Sequence, residues 1–244
     1  MLIDERTRMV ETQLADRGIA DPRVLEVFRQ VPRELFLPPE LAELAYRDTA
    51  LPIREGQTIS QPYIVAMTAE ALELTGDESI LEIGTGSGYA AAILSRLCRE
   101  VFTVERRARL ALEARERLER LGYDNVHVLC GDGTLGWPEH APYDAIAVAA
   151  GGPATPKALL AQLSLGGRLV IPVGPEHSQV LLRVTRTGDE KFVEECLGEV
   201  RFVPLIGEQG WADETAIMHA AKTAGTRNAH SGGGADLRQN RSPR

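Results

Sequence analysis

The sequence predicts an α/β fold: a doubly wound, mostly parallel sheet with an N-terminal helical addition and antiparallel strands at the C-terminal end. Three observations predict it. Short apolar strands alternate with helices from residue 62 to about residue 174, the pattern of a parallel sheet covered on both faces. A strand runs directly into "GTGSG", residues 84–88, and a helix follows, as in a nucleotide-binding turn. Residues 179–205 carry strand-like segments with no long helix between them, which predicts an antiparallel edge.

The elements follow in order. Residues 5–50 read as helical. Val24, Leu25, Val27, Phe28 and Val31 fall on one helical face. Asp21 before Pro22 is a good N-cap with proline at the first helical position. Pro32, Pro38 and Pro39 then break the pattern. "YIVAMTAEALEL" is a helix ending near Gly76, "SILEIG" a short strand, "YAAAILSRL" a helix and "EVFTVE" a strand. "RARLALEARERLERLG" is strongly amphipathic and closes at Gly122. "NVHVLCGD" and "YDAIAVAA" are strands, "TPKALLAQLS" is a helix, and "GGRLVIPVG" is a strand. No internal repeat is present.

With 244 residues and 43% hydrophobic content, the chain suits one domain with a proper core. We expect that domain over residues 1–221, with a helical cap and substrate loop (1–60), a cofactor-binding core (61–175) and C-terminal strands (176–221). Residues 222–244 are small, polar and Gly-rich, and read as a disordered tail. Net charge is −8, yet beyond Ala221 five basic residues face one acidic residue. The body is therefore more acidic than the whole, which disfavours nucleic acid as a partner. No apolar run approaches a bilayer span, and the charged N-terminus lacks a secretory h-region. Cys98, Cys130 and Cys196 form no CxxC pair and read as buried thiols in a reducing cytoplasm. The expectation is a cytoplasmic monomer.

The glycine motif narrows the cofactor. Glycine permits positive φ and close ligand approach, and a helix N-terminus adds free N–H groups. The spacing GxGxG, residues 84, 86 and 88, is not the dinucleotide GxGxxG. Glu82 stands two residues ahead, Glu105 closes the next strand and Asp132–Gly133 closes the third. These acids at strand carboxyl ends suit S-adenosyl-L-methionine (SAM): Glu82 near its ammonium, Glu105 on the ribose hydroxyls, Asp132 on the adenine amino group. Blander roles stay open. Glu82 can pair with an arginine, Asp132 can cap a turn, and Ser60, two residues ahead of Pro62, can cap a helix.

Several motifs carry a more specific resemblance: "MVETQL", "RGI", "VPRELF", "AYRDTALPI", "GQTISQP", "LEIGTGSGY", "ERLGYDNVHVLCGDGTLGW", "APYDAI", "LGGRLVIPVG" and "VRFVPL". From about Met9 to Leu205 the chain resembles the protein-L-isoaspartate O-methyltransferases. The resemblance implies a SAM-dependent methyltransferase fold. It also implies transfer of the SAM methyl group to the free α-carboxylate of L-isoaspartyl residues in proteins and peptides, which begins their repair through a succinimide. The family's active-site serine falls on Ser60. Its cofactor contacts fall on Ile59, Ser60, Gln61, the loop of Gly84, Thr85, Gly86 and Gly88, then Glu105 with the adjoining Arg106, and Asp132 with Gly133. Two departures stand out: Arg54 replaces a usual glycine, and "VAAGGP", residues 148–153, replaces the "VTAAPP" often seen in bacterial members. An alternative is a SAM-dependent methyltransferase acting on a specific peptide or small-molecule carboxylate.

The loop "GQTISQP", residues 56–62, holds no His, Cys, Lys or carboxylate. For such a reaction none is required. A carboxylate acceptor has a pKa of about 4 and is already ionised; it needs dehydration and aim. The five histidines form no HxxH or HExxH pattern, and no metal site is expected.

Overall fold

A computed structural model describes residues 2–213. Residues 1–211 form one compact unit; the second unit spans 212–244, of which only Ala212 and Asp213 are described. The tail expected at 222–244 lies outside the described residues.

The N-terminal addition holds α1 (Leu2–Met9) and α2 (Pro22–Gln30). Asp21 caps α2, accepting from the Arg23 backbone N–H, with Pro22 at the first helical position. Between Pro32 and Ala45 the chain forms short 3₁₀ turns, the break in the helical pattern expected from three prolines that remove backbone donors. Two short strands, β1 (Leu51–Pro52) and β2 (Thr58–Ile59), then pair antiparallel. Helix α3 (Pro62–Ala71) leads into the sheet.

That sheet alternates β3 (Ser79–Ile83), α4 (Tyr89–Leu94), β4 (Glu100–Glu105), α5 (Ala108–Arg120), β5 (Val126–Cys130), β6 (Tyr143–Val148), α6 (Lys157–Ala161) and β7 (Leu163–Val173). Strands β8 (Gln179–Gly188) and β9 (Lys191–Val200) complete it. The order is β5-β4-β3-β6-β7-β8-β9. The first five run parallel; β8 and β9 add antiparallel, as the sequence predicts.

Period-two alternation sends neighbouring side chains to opposite faces. Ile80, Val101, Ala145 and Val170 pack with the N-terminal addition, α3 and α4. Leu81, Ile83, Phe102, Val104, Ile146 and Leu169 pack on the other face with Leu159 and Leu205. Central strands β3 and β6 are apolar almost throughout because helices and loops cover both sides. Glu82 breaks the apolar run of β3 and is nonetheless buried.

The cysteines differ from expectation. Cys98 is buried, but Cys130 and Cys196 are exposed, since β5 and β9 are the edge strands. Among the described residues no helix is long and apolar enough to cross a membrane.

Candidate active site

The carboxyl ends of β3 and β4 open into a cleft, the place where such sheets bind ligands. Its walls include Ile59 and Ser60, the glycine loop Gly84–Thr85–Gly86, Glu105 and Arg106, and Gly133. Tyr89 and residues 203–206, which carried no site signal in the sequence, also line it, as does Ala149 from the 148–153 segment expected to border the substrate cleft. Residues 203–206 arrive from β9 and are pinned to Gly151: its N–H donates to the Val203 carbonyl, and its carbonyl accepts from the Leu205 N–H, both at 2.8 Å.

Glu105 ends β4 and is 6% exposed. Its carboxylate accepts from the Gly86 and Arg107 backbone N–H groups, each at 2.9 Å. The first bond locks the glycine loop to the acid and leaves lone pairs for hydroxyls in the cleft. Gly86 has φ +53°, in the left-handed region that glycine tolerates. Gly133 has a different reason: a Cβ there would meet Ile83 Cγ2 at 2.4 Å.

The structure places four expected cofactor residues outside the cleft wall. Gly88 faces α5, where an added Cβ would lie 3.2 Å from Leu118 Cδ1; it permits helix packing. Gln61 donates to Asp48 Oδ2 at 2.7 Å and lines the neighbouring groove. Asp132 caps a turn: Oδ1 accepts from the Thr134 N–H and hydroxyl, and Oδ2 from the Glu208 N–H at 2.8 Å. The carboxylate thus anchors the 207–208 segment.

Glu82 occupies a recess that shares Ser60, Val65, Ala90 and Ala149 with the cleft. It pairs in register with Thr103 on β4, and the Thr103 hydroxyl donates to Oε2 at 2.5 Å. Thr85 Oγ1 lies 2.6 Å from Thr103 Oγ1, so a hydroxyl chain links the glycine loop to Glu82. Oε1 is buried without a hydrogen-bond partner. Burial pushes the Glu82 carboxyl up to about 8, opposed by the Thr103 hydrogen bond and reinforced by nearby Glu105. A buried orphan carboxyl oxygen calls for a donor or a cation.

Ser60 is not the helix cap. The cap position of α3 is Gln61, and no side chain caps that helix. Ser60 Oγ has no hydrogen-bond partner among the described residues. Its residue lines the cleft, the Glu82 recess and an open groove beyond. The backbone is held from behind, as buried Arg33 donates from Nη2 to the Ser60 carbonyl at 3.0 Å. Arg33 sits in a proline-flanked, charged segment that gave no hint of burial.

The departures have local explanations. Arg54 pairs with Glu113 at 3.5 Å and Glu55 with Arg107 at 3.7 Å, joining the β1–β2 turn to α5 and the residue that precedes it. A Cβ at Gly151 would meet Gln179 Cδ at 2.9 Å, so this position takes glycine beside that glutamine. Among the described residues no His, Cys, Asp or Glu cluster could hold a metal ion.

A doubly wound sheet with a GxGxG loop, a terminal acid on the adjacent strand and an antiparallel C-terminal edge is the arrangement of a SAM-dependent methyltransferase. The cleft fits that cofactor: close-approach glycines, a buried acid beside them and an unpartnered carboxyl oxygen nearby. Comparison makes the assignment particular. A sequence profile of the protein-L-isoaspartate(D-aspartate) O-methyltransferase family matches residues 4–210, and the chain belongs to that family. Protein-L-isoaspartate O-methyltransferase 1 of Geotalea uraniireducens is 61% identical over 211 residues, 86% of this chain and 96% of the relative. Protein-L-isoaspartate O-methyltransferase 2 of Pelobacter propionicus is 61% identical over 84% of this chain and 92% of its own. A solved protein-L-isoaspartate O-methyltransferase superposes with a TM-score of 0.75 at 32% identity, covering 84% of this chain and 67% of the other. A Plasmodium falciparum chain assigned to the same family, in complex with S-adenosyl-L-homocysteine, gives a TM-score of 0.70 at 26% identity, covering 82% and 98%.

Proposed function

We propose that this chain transfers the methyl group of SAM to the free α-carboxylate of L-isoaspartyl residues in proteins and peptides, starting repair through a succinimide. The observation that carries the reading is the position of Ser60: its hydroxyl is unused by the helix, and the residue lines the cleft, the recess and the groove.

When bound, SAM supplies an electrophilic methyl group on a sulfonium. The residues of this chain hold and aim. Glu105, fixed by two backbone N–H groups, takes the ribose hydroxyls. Thr85, Gly84 and Gly86 allow close backbone approach, Ile59 and Gly133 supply walls, and Arg106 completes the rim. An ammonium at the orphan Oε1 of Glu82 would draw that carboxyl into its ionised form, and Glu82 would then compensate its charge from the recess. Asp132 acts indirectly, by seating the segment that follows the cleft wall of residues 203–206.

At the acceptor side the Ser60 hydroxyl donates to the substrate carboxylate and orients it. No general base is required, because the acceptor is ionised at neutral pH. Water exclusion by the β1–β2 turn and residues 203–206 raises the nucleophilicity of that carboxylate. We further propose a cytoplasmic monomer with no nucleic-acid partner; two exposed free thiols suit a reducing compartment. Methyl transfer to an isoaspartyl peptide, compared with its aspartyl isomer, tests the function.

A further inference from the structure

We propose that Arg201 selects among isoaspartyl substrates by the charge of the residues flanking the damaged position, favouring acidic flanks. The inference rests on the methyl-transfer reading above. It concerns the open groove that leads away from Ser60.

Thr58, Ser60 and Ala149 line both this groove and the cofactor cleft. A peptide whose isoaspartyl carboxylate reaches Ser60 therefore has its neighbouring residues in the groove. Beyond the shared rim the charged lining is Glu199 and Arg201, with His177 opposite in sequence on the β7–β8 connection. Arg201 is exposed and has no ion-pair or hydrogen-bond partner for its guanidinium among the described residues. The other nearby cations are engaged. Arg17 is paired with Asp48, and Arg33 is buried on carbonyl oxygens.

The placement sets the range. Val203 lines both cleft and groove, and Arg201 precedes it by two residues, about 7 Å of extended chain. A substrate side chain one or two positions from the isoaspartate lies at that distance. Glu199, two residues before Arg201, lines the same groove; it is also exposed and unpaired among the described residues, and opposes the Arg201 field. The chain as a whole is acidic, at −8, so an unpaired cation here locally reverses the general repulsion of acidic peptides.

The test uses three isoaspartyl peptides that differ only in flanking residues: Glu, Gln or Lys on both sides. With saturating SAM and low salt, kcat/KM is measured for the full chain and for the R201E, R201Q and E199Q variants. We expect R201E to shift the Glu-to-Lys preference about tenfold toward Lys and R201Q about threefold, the size of an exposed charge contact at short range. E199Q shifts it toward Glu, and added salt at about 0.5 M shrinks all three effects. kcat on the Gln-flanked peptide stays at the wild-type level throughout. A Glu-to-Lys ratio unchanged within twofold in R201E and E199Q, with the Gln-flanked peptide still methylated, overturns the role of Arg201. Failure of the wild-type chain to methylate the Gln-flanked peptide overturns the methyl-transfer reading instead, and this inference with it.

Discussion

Arg33 donates from Nη2 to the carbonyl oxygen of Ser60 at 3.0 Å. The same guanidinium bonds the carbonyls of Thr49, at 3.2 Å, and Ala45. Arg33 is 0% exposed, and no carboxylate bonds it; carbonyl dipoles and the Tyr89 ring at 5.8 Å compensate the charge. Burial pushes its pKa down. Residue 60 is thus fixed by its backbone, while the Ser60 hydroxyl has no hydrogen-bond partner among the described residues.

Arg33→Lys keeps the charge but loses the planar fork that reaches three carbonyls. We expect a loss of about 2–4 kcal/mol in unfolding free energy and a raised peptide KM, read by urea denaturation and steady-state kinetics. An unchanged midpoint would show that the fork does not hold the loop.

Ser60→Ala removes one charge-assisted hydrogen bond to the acceptor and no helix cap. kcat should fall about 10- to 100-fold, with melting temperature and SAM affinity unchanged. Glu105→Ala should do the reverse and weaken SAM binding. Calorimetry and kinetics on the two variants separate these roles; a Ser60→Ala protein with normal turnover would leave the hydroxyl without one.

Glu82 sets a pH dependence. Its folded pKa, about 8, lies above the unfolded value near 4.5, so between those limits the folded state holds the extra proton. Its contribution to stability is complete below about pH 4.5 and is lost as pH rises through about 8. Glu82→Gln lacks this loss. The stability of wild type relative to Glu82→Gln should therefore fall between pH 5 and 8, then level off. Parallel denaturation curves across pH 5, 7 and 8.5 would contradict it.

Gly151→Ala forces a Cβ to within 2.9 Å of Gln179 Cδ. Gln179 cannot easily yield: its amide donates to the Pro175 and Glu176 carbonyls, and its Oε1 accepts from the Phe202 N–H. Overpacking of this kind costs about 1–3 kcal/mol. The displaced strap of residues 203–206 should also lower kcat/KM. A variant as stable and active as wild type would show that the strap adapts.

Much of the fold was legible in the sequence because periodicity and punctuation agreed. Apolar strands alternated with helices, Asp21–Pro22 announced a helix start, and the glycine loop followed a strand. The strand ends located Glu105 and Gly133 in the cleft. Side-chain direction was less legible. Gln61 and Asp132 lie beside the cleft, yet their polar ends satisfy Asp48 and the 207–208 backbone. Spacing along a chain cannot tell which neighbour a rotamer chooses. Nothing in the sequence marked Arg33 for burial, because its carbonyl partners come from separate segments. The two-residue strands β1 and β2 were too short to leave a period. Residues 203–206 became cleft wall only through their pairing with Gly151, a contact between distant residues.

The central claim is methyl transfer to an isoaspartyl carboxylate held at Ser60. Its most direct test is SAM-dependent methyl ester formation on one peptide synthesised with L-isoaspartate or with L-aspartate at the same position. The isoaspartyl peptide should be esterified, with strong reduction by Ser60→Ala, and the aspartyl isomer essentially not at all. Equal methylation of both isomers, or of neither, would contradict it.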